Sequence, residues 1–293
     1  MAQESDACAP INRRLGLIQI HTVALLVGFA GLFGKLLHAA PEVIVTGRTV
    51  FGSLALLAAI GLTRTPLRVR SRRDFIILVA SGAILALHWY CFFRSIQVST
   101  VAIGVLSFAS FPVFITLLEP LLFRERLHVF DICIALVVVV GLCIVTLPAA
   151  KGSHIVLGME WGIFSGLLYA VLSLISRSTV RNYSPMTVAF YQQSFAAFFA
   201  LPSALAEAPH ITLRTVLLLL TLGVVFTGTA QALLVASLRH IRAQTAGVIV
   251  SLEPVYGILF ALLFLGELPA GRTLIGGLLV CLAVIAASLK KGG

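Results

Sequence analysis

The chain repeats part of its own sequence after a shift of about 142 residues. Residues 112–125 read PVFITLLEPLLFRE, and residues 254–267 read PVYGILFALLFLGE. The alignment of the two halves extends beyond this motif, since Ser95 falls opposite Ser237. The repeat indicates that the protein is built from two copies of one structural unit.

The composition places both copies in a membrane. Of the 293 residues, 59% are hydrophobic and 11% are charged, and the mean hydropathy is +1.07. Such a chain cannot cover a soluble core with a polar surface. A helix needs roughly 20 apolar residues to cross about 30 Å of hydrocarbon, and about ten stretches approach that length. They are residues 15–37, 42–62, 75–95, 98–122, 129–148, 157–177, 185–206, 212–236, 244–266 and 271–289.

The sequence therefore predicts an all-α polytopic membrane protein of about ten transmembrane helices. We place the first five-helix repeat at residues 1–150 and the second at residues 151–293, together forming one transport domain. A unit that crosses the membrane an odd number of times must have its second copy inverted, and inverted repeats are typical of alternating-access carriers. Spans one to four and six to nine are expected to enclose the substrate, with spans five and ten supporting them.

The basic residues predict the orientation in the membrane. Loops rich in Lys and Arg are retained in the cytoplasm. The loop between spans two and three carries Arg64, Arg68, Arg70, Arg72 and Arg73. With that loop inside, both termini are cytoplasmic, and we expect a multi-pass protein of a bacterial inner membrane. The pI near 10.0 then reflects topology and contact with anionic lipid head groups, not a nucleic-acid partner.

Arg48 lies inside span two, where an unpaired guanidinium would be costly in lipid. Its planar fork suits a carboxylate, so Arg48 is a candidate to bind the acid group of a substrate. A permanent partner such as Glu42, or a side chain that reaches the outer surface, is the structural alternative. Gln192 is its counterpart in the second repeat and is a candidate for the same site.

Glu253 is the one acidic residue that we place close to the middle of a span. Pro254 follows it directly, and proline removes a helix hydrogen bond and bends the helix. A carboxyl group at such a bend can bind a substrate amine or carry a coupling proton, and it can equally cap the backbone donors that the proline frees. Phe111 occupies the repeat-related position, so the first half does not share this role.

Aromatic and polar residues are candidates to line a cavity, because polar groups at membrane depth usually face the interior of the bundle. In addition to Arg48 and Glu253, the candidates are His88, Trp89, Tyr90, Trp161, Tyr169, Tyr191, Gln192, Gln231 and Tyr256. Gln231 is the repeat counterpart of Trp89. Interfacial anchoring is the alternative for the aromatic rings. For His88, a proton-linked switch competes with a hydrogen-bonded packing role.

Three positions are candidate hinges. Pro112 and Pro254 are related by the repeat, and interconversion of inward-open and outward-open states would use a kink that both halves share. Gly31 belongs to a run in span one that also contains Gly28 and Gly34. For these glycines, close helix packing without motion is the alternative.

The stretch LEPVYGILFALLFLGE at residues 252–267 is followed by a Gly-rich last helix, and the pattern is duplicated over five-helix halves. These features resemble the EamA branch of the drug/metabolite transporter (DMT) superfamily over nearly the whole chain. The general pattern is similar to that of YddG-type bacterial amino acid exporters. The resemblance implies an inner-membrane carrier that exports amino acids or related metabolites from a central cavity. The first repeat departs from the pattern, with Phe111 before Pro112 and a displaced Leu118-Glu119-Pro120.

We therefore expect a secondary transporter that exports amino acids, including neutral or aromatic ones, by alternating access. It would act as a monomer on a small-molecule substrate, without a cofactor, a metal or a catalytic residue. A multidrug or other metabolite exporter of the same superfamily is the alternative. A lipid-modifying membrane enzyme is less favoured, because the sequence contains no HExxH motif or paired carboxylates in its loops.

Overall fold

The computed structural model is helical throughout its regular secondary structure. It describes residues 13–111, 113–115, 117–118, 129–146, 153–180, 182–206, 211–237, 240, 249–250 and 252–289. Pro112, one of the predicted hinges, lies outside these residues.

Helices in the first half begin at clear sequence signals. α4 begins after Ser71, whose hydroxyl accepts a hydrogen bond from the Asp74 backbone N–H at 3.0 Å, and α5 begins after Thr100, which caps Ile103 at 3.2 Å. Such side-chain caps satisfy backbone donors that have no partner inside the helix. The described helices of this half are α1 (Arg13–Ala30), α2 (Phe33–Leu36), α3 (Pro41–Thr63), α4 (Arg72–Val98), α5 (Val101–Phe108) and α6 (Val129–Thr146).

Two helices in the second half contain π-helical turns. Val224–Thr229 joins α9 to α10, and Ala261–Leu265 continues α11. The described helices of this half are α7 (Ser153–Thr179), α8 (Pro185–Ala206), α9 (Leu213–Gly223), α10 (Ala230–Ser237), α11 (Glu253–Phe260) and α12 (Gly271–Leu289).

The helices have the length and composition of membrane spans. Five segments of the described chain are long and apolar enough to cross a bilayer: Arg13–Leu36, Pro41–Thr63, Arg72–Val98, His154–Ser176 and Leu213–Leu234. Shorter apolar helices follow four of the other predicted spans, at Val101–Ile115, Ile132–Ile144, Glu253–Leu265 and Gly271–Ala283, and α8 (Pro185–Ala206) coincides with the predicted span at residues 185–206. The predicted all-α, multi-pass membrane fold is confirmed.

The two halves interleave. α4 packs on α7, and α1 packs on α10; α5 packs on α7, and α1 packs on α11. α3 packs on α8, and α6 packs on α12. The helices of the two halves correspond in order: α1 to α7, α3 to α8, α4 to α9–α10, α5 to α11 and α6 to α12. When the halves are exchanged, the α4–α7 contact becomes the α10–α1 contact and the α5–α7 contact becomes the α11–α1 contact. The α3–α8 and α6–α12 contacts are unchanged by the exchange.

The two described hinge candidates lie at interruptions of their spans. Gly31 follows the last residue of α1, and the backbone N–H of Gly34 donates to the Gly31 carbonyl at 3.2 Å. Pro254 occupies the first turn of α11, where the N–H that proline lacks is not required. Residues 249–250 are helical as well, and α11 begins at Glu253, so Pro254 lies just after an interruption of its span and its role as a hinge stays a prediction.

Candidate functional site

A cavity of about 160 Å³ lies among helices of both halves. It is lined from α1, α3, α4 and α5 of the first half and from α7, α8, α10, α11 and the Val224–Thr229 turn of the second half. The described parts of α6 and α12 contribute no lining residue and pack against each other. Six of the sequence-predicted site residues line it: Arg48, His88, Trp89, Tyr169, Gln231 and Glu253.

Arg48 is buried in α3, with 6% of its surface exposed. Its guanidinium carbon lies 3.6 Å from the centre of the Trp89 ring, which is the geometry of a cation–π contact. Nη2 donates a hydrogen bond to Thr227 Oγ1 at 3.1 Å, and Nε has no hydrogen-bond partner. Glu42, the structural partner that the sequence suggested, lines a different pocket. Arg48 therefore points into the cavity and not to the surface.

The π-helical turn places Thr227 opposite Arg48. The Thr227 hydroxyl donates to the Leu222 carbonyl at 2.9 Å, five residues back, as the wider turn allows. Two glycines permit the close approach of α3 to this turn. A Cβ atom on Gly223 would lie 2.5 Å from Phe51 Cβ, and one on Gly52 would lie 3.2 Å from Thr227 Cγ2. π-helical turns are rare and frequently mark functional sites.

His88 is held by Ser165 of α7. Its Nδ1 lies 2.8 Å from Ser165 Oγ and 3.0 Å from the Ser165 carbonyl oxygen. The same hydroxyl donates to the His88 carbonyl at 3.0 Å. The imidazole packs against the rings of Phe108 and Tyr169, at centroid distances of 5.3 and 5.2 Å. With Nδ1 occupied, Nε2 is the ring nitrogen left for a ligand.

Glu253 brings a carboxyl group to the same cavity as Arg48. It is the first residue of α11, and its carboxylate makes no hydrogen bond or ion pair with the described residues. α11 approaches α1 closely there, since a Cβ atom on Gly28 would lie 2.6 Å from Tyr256 Cβ and 3.2 Å from the Glu253 carbonyl oxygen. The cavity thus contains one fixed cationic group and one carboxyl group.

Five predicted site residues do not line this cavity in the described structure. Tyr90 and Trp161 meet edge to face at 5.8 Å, and Tyr90 belongs to a separate pocket of about 630 Å³ with Lys35, Glu42 and Arg94.

The other three make structural contacts. Tyr191 donates from its hydroxyl to the Leu67 carbonyl at 2.9 Å, and Gln192 donates to Ser176 Oγ at 2.9 Å. Tyr256 packs against α1 and stacks on Phe260. The hydrogen bond from Tyr191 to Leu67 therefore joins α8 to the loop between α3 and α4.

Two polar lining residues were missing from the sequence-based set. Gln193 has 5% of its surface exposed and its Oε1 lacks a hydrogen-bond partner. Thr227 accepts the hydrogen bond from Arg48. Gln193 carried a signal, because it belongs to the polar run with Tyr191 and Gln192. Thr227 carried almost none, since a single threonine in an apolar span is common.

An interleaved bundle of apolar helices around a small buried cavity is the arrangement of a multi-pass membrane protein, and a cavity between two repeated halves is typical of transporters. The sequence matches the EamA-like transporter family twice, over residues 14–147 and over residues 156–289. The chain belongs to this family.

Relatives of the chain are described as transporters. It is 28% identical over 224 residues to the pseudopaline exporter CntI of Pseudomonas aeruginosa (strain UCBPP-PA14), covering 76% of this chain and 78% of that protein. It is 26% identical over 275 residues to an uncharacterized transporter of Archaeoglobus fulgidus, covering 94% and 96%.

A third relative matches over a shorter stretch. The chain is 25% identical over 210 residues to the uncharacterized transporter YxxF of Bacillus subtilis, covering 68% of this chain and 65%, slightly under two thirds, of that protein. A solved crystal structure shares the fold, with a TM-score of 0.68 at 21% identity over 95% of this chain and 98% of that one.

Proposed function

We propose that the protein is a secondary transporter of the bacterial inner membrane that exports amino acids, including neutral or aromatic ones, or related zwitterionic metabolites. The observation that carries the proposal is that the guanidinium of Arg48 and the carboxyl group of Glu253 line one small cavity together with aromatic rings. A zwitterion offers a carboxylate to the guanidinium and an ammonium group to the carboxyl side of the cavity.

Burial supports a ligand that carries both charges. Removing a charged group from water is costly unless it is paired. Neither Thr227 nor Glu253 neutralises the charge of Arg48. Thr227 is uncharged, and the Glu253 carboxyl group makes no ion pair with Arg48 in the described structure. A bound zwitterion would pair both groups while remaining neutral overall.

The surface of the cavity supports a substrate with an apolar or aromatic side chain. Phe92, Phe108 and Phe226 line it beside Trp89 and Tyr169. Aromatic rings favour edge-to-face and offset contacts with another ring. A multidrug exporter, the alternative function, handles mainly cationic or apolar compounds, and a deeply buried arginine favours a carboxylate instead.

Alternating access by two inverted repeats, at residues 1–150 and 151–293, is the proposed mechanism. Its support is the exchange symmetry of the helix contacts and the position of the cavity between the halves. Because one chain supplies both halves of the cavity, we propose a monomer. The arginine-rich loop at residues 64–73 supports cytoplasmic termini. The word exporter in the name of the Pseudomonas relative supports export.

Counterflow in proteoliposomes tests the proposal. Vesicles loaded with unlabelled amino acids should accumulate external radiolabelled amino acid in a saturable manner, with and without a pH gradient. Arg48→Ala should abolish the accumulation while its abundance in the membrane stays unchanged, because the carboxylate loses its cationic partner. Intact vesicles of folded protein that exchange no amino acid would overturn the amino-acid assignment.

A further inference from the structure

Two residues that line the cavity each have a buried polar atom without a hydrogen-bond partner in the described structure. One is Nε of Arg48, a donor, and the other is Oε1 of Gln193, an acceptor. The two residues have 6% and 5% of their surface exposed, respectively. A buried donor or acceptor without a partner is costly, so such atoms point to a ligand that supplies the missing partners.

The two atoms belong to one corner of the cavity. Gly52 lies one helical turn after Arg48 on α3, and a Cβ atom on Gly52 would lie 3.6 Å from Gln193 Oε1. The same Cβ atom would lie 3.2 Å from Cγ2 of Thr227, the residue that accepts a hydrogen bond from Arg48. Thr227 and Gln193 therefore both lie beside the stretch of α3 that carries Arg48.

A ligand that satisfies both residues carries an acceptor and a donor close together. The acceptor pairs with Arg48 Nε, and the donor pairs with Gln193 Oε1. An α-ammonium carboxylate has this arrangement, because its two charged groups share one carbon atom. A carboxylate without the amino group would satisfy Arg48 and leave Gln193 without a partner.

We propose that Gln193 is a specificity-determining residue that accepts a hydrogen bond from the α-ammonium group while Arg48 binds the carboxylate. The inference rests on the proposed amino-acid transport. Glu253 supplies the carboxyl group of the cavity, and Gln193 supplies the uncharged acceptor that distinguishes an α-amino acid from its des-amino analogue.

The chain offers a matched control one residue away. Gln192 is also buried, on the same helix, but its amide donates to Ser176 Oγ at 2.9 Å and it does not line the cavity. Gln193→Leu and Gln192→Leu therefore remove the same amide from the same helical turn. Only the first removes an acceptor from the cavity.

Competition measures the preference directly. The experiment measures how strongly unlabelled phenylalanine and 3-phenylpropionate each inhibit the uptake of radiolabelled phenylalanine into proteoliposomes. The readout is the ratio of the two inhibition constants. In Gln193→Leu we expect the inhibition constant of phenylalanine to rise about tenfold, because a hydrogen bond to a charged group is lost. The constant of 3-phenylpropionate should change by less than about twofold, since it makes no such bond. Gln192→Leu should leave the ratio at its original value.

The outcomes separate the inference from the proposed function. An unchanged ratio in Gln193→Leu, with phenylalanine still transported by the original protein, would overturn the role of Gln193 alone. Equal weakening of both competitors would assign Gln193 to packing. Transport of no amino acid by the original protein would overturn both. If Gln193→Leu does not reach the membrane, Gln193→Glu is the variant to measure. It keeps an acceptor and should raise the preference for phenylalanine over 3-phenylpropionate. An unchanged ratio of the two inhibition constants in Gln193→Glu would count against the inference.

Discussion

Nη2 of Arg48 donates a hydrogen bond to Oγ1 of Thr227 at 3.1 Å, and this bond joins α3 of the first half to the π-helical turn of the second half. Both side chains are buried. The bond fixes the guanidinium over the Trp89 ring with Nε left free in the cavity wall. Thr227 is therefore a positioning residue for Arg48.

Thr227→Val tests this relationship, because valine has nearly the same shape and lacks the acceptor. We expect the free energy of unfolding to fall by about 1–3 kcal/mol, since a buried guanidinium N–H loses its partner. The apparent KM for amino acid should rise as Arg48 loses its fixed orientation. Thermal unfolding in detergent and counterflow measure the two effects. Thr227→Ser retains the hydroxyl and should stay close to the original protein; equal behaviour of the valine and serine variants would refute the role.

The sequence led to Arg48 and Glu253 because charged groups at membrane depth rarely face lipid. That rule depends only on depth along a span, which hydropathy indicates well. The hydropathy pattern also predicted the all-α fold. The rule does not depend on the rotation of a helix about its axis, and hydropathy does not indicate that rotation.

Rotation explains why Gln192 was chosen and Gln193 was missed. Adjacent residues of a helix point in directions about 100° apart, so one of the pair faces the cavity and the other faces α7, where Ser176 accepts its hydrogen bond. Repeat alignment favoured Gln192 because it falls opposite Arg48, but side-chain packing determined which residue lines the cavity. Tyr191 lies outside the cavity for a similar reason, since its hydroxyl reaches the Leu67 carbonyl.

Glycines where α3 meets α9 provide a second prediction. A Cβ atom on Gly223 would lie 2.9 Å from the Arg48 carbonyl oxygen and 3.0 Å from the Gly52 backbone nitrogen. Because backbone atoms cannot move aside cheaply, Gly223→Ala should destabilise the protein by about 1–3 kcal/mol through overpacking and reduce transport. Gly61→Ala is the control, since nothing lies within 4 Å of its Cβ position. Similar melting temperatures for the two variants would contradict the prediction.

Tyr183, which precedes α8 and contacts the first turn of α4, makes the stability of the protein depend on pH. The Tyr183 hydroxyl donates to the Asp74 carboxylate at 2.6 Å and accepts from the Arg70 backbone N–H at 2.9 Å. The hydrogen bond to Asp74, followed by burial, raises the pKa of Tyr183 above its ordinary value.

Because folding favours the neutral phenol, this stabilisation is present below the unfolded pKa of about 10 and is lost as the pH rises through the higher folded pKa. The difference in melting temperature between the original protein and Tyr183→Phe should therefore be largest near neutral pH and shrink in strong alkali. Asp74→Asn keeps an acceptor without the charge and should weaken the pH dependence. A difference that does not vary with pH would exclude this account.

Glu267 connects the repeat-related helices α11 and α5 at one end of the cavity. Its Oε2 accepts a hydrogen bond from the Val101 backbone N–H at 3.0 Å, and Gly266 turns the chain with a φ of 66°, which favours glycine. Val101 also contacts the interruption of span one, since a Cβ atom on Gly31 would lie 3.6 Å from Val101 Cγ1. The contact thus closes the bundle beside Ala30, which lines the cavity.

Glu267→Ala should weaken this closure, because α5 loses an acceptor at its N-terminus, worth about 1 kcal/mol. Under alternating access, the states open at this end should then be more populated. An impermeant maleimide should label Ala30→Cys, placed in a background without the native cysteines, faster in Glu267→Ala than in Glu267→Gln. The glutamine retains an acceptor and should label at the original rate, so equal rates in both variants would mean that the contact does not control access from this end.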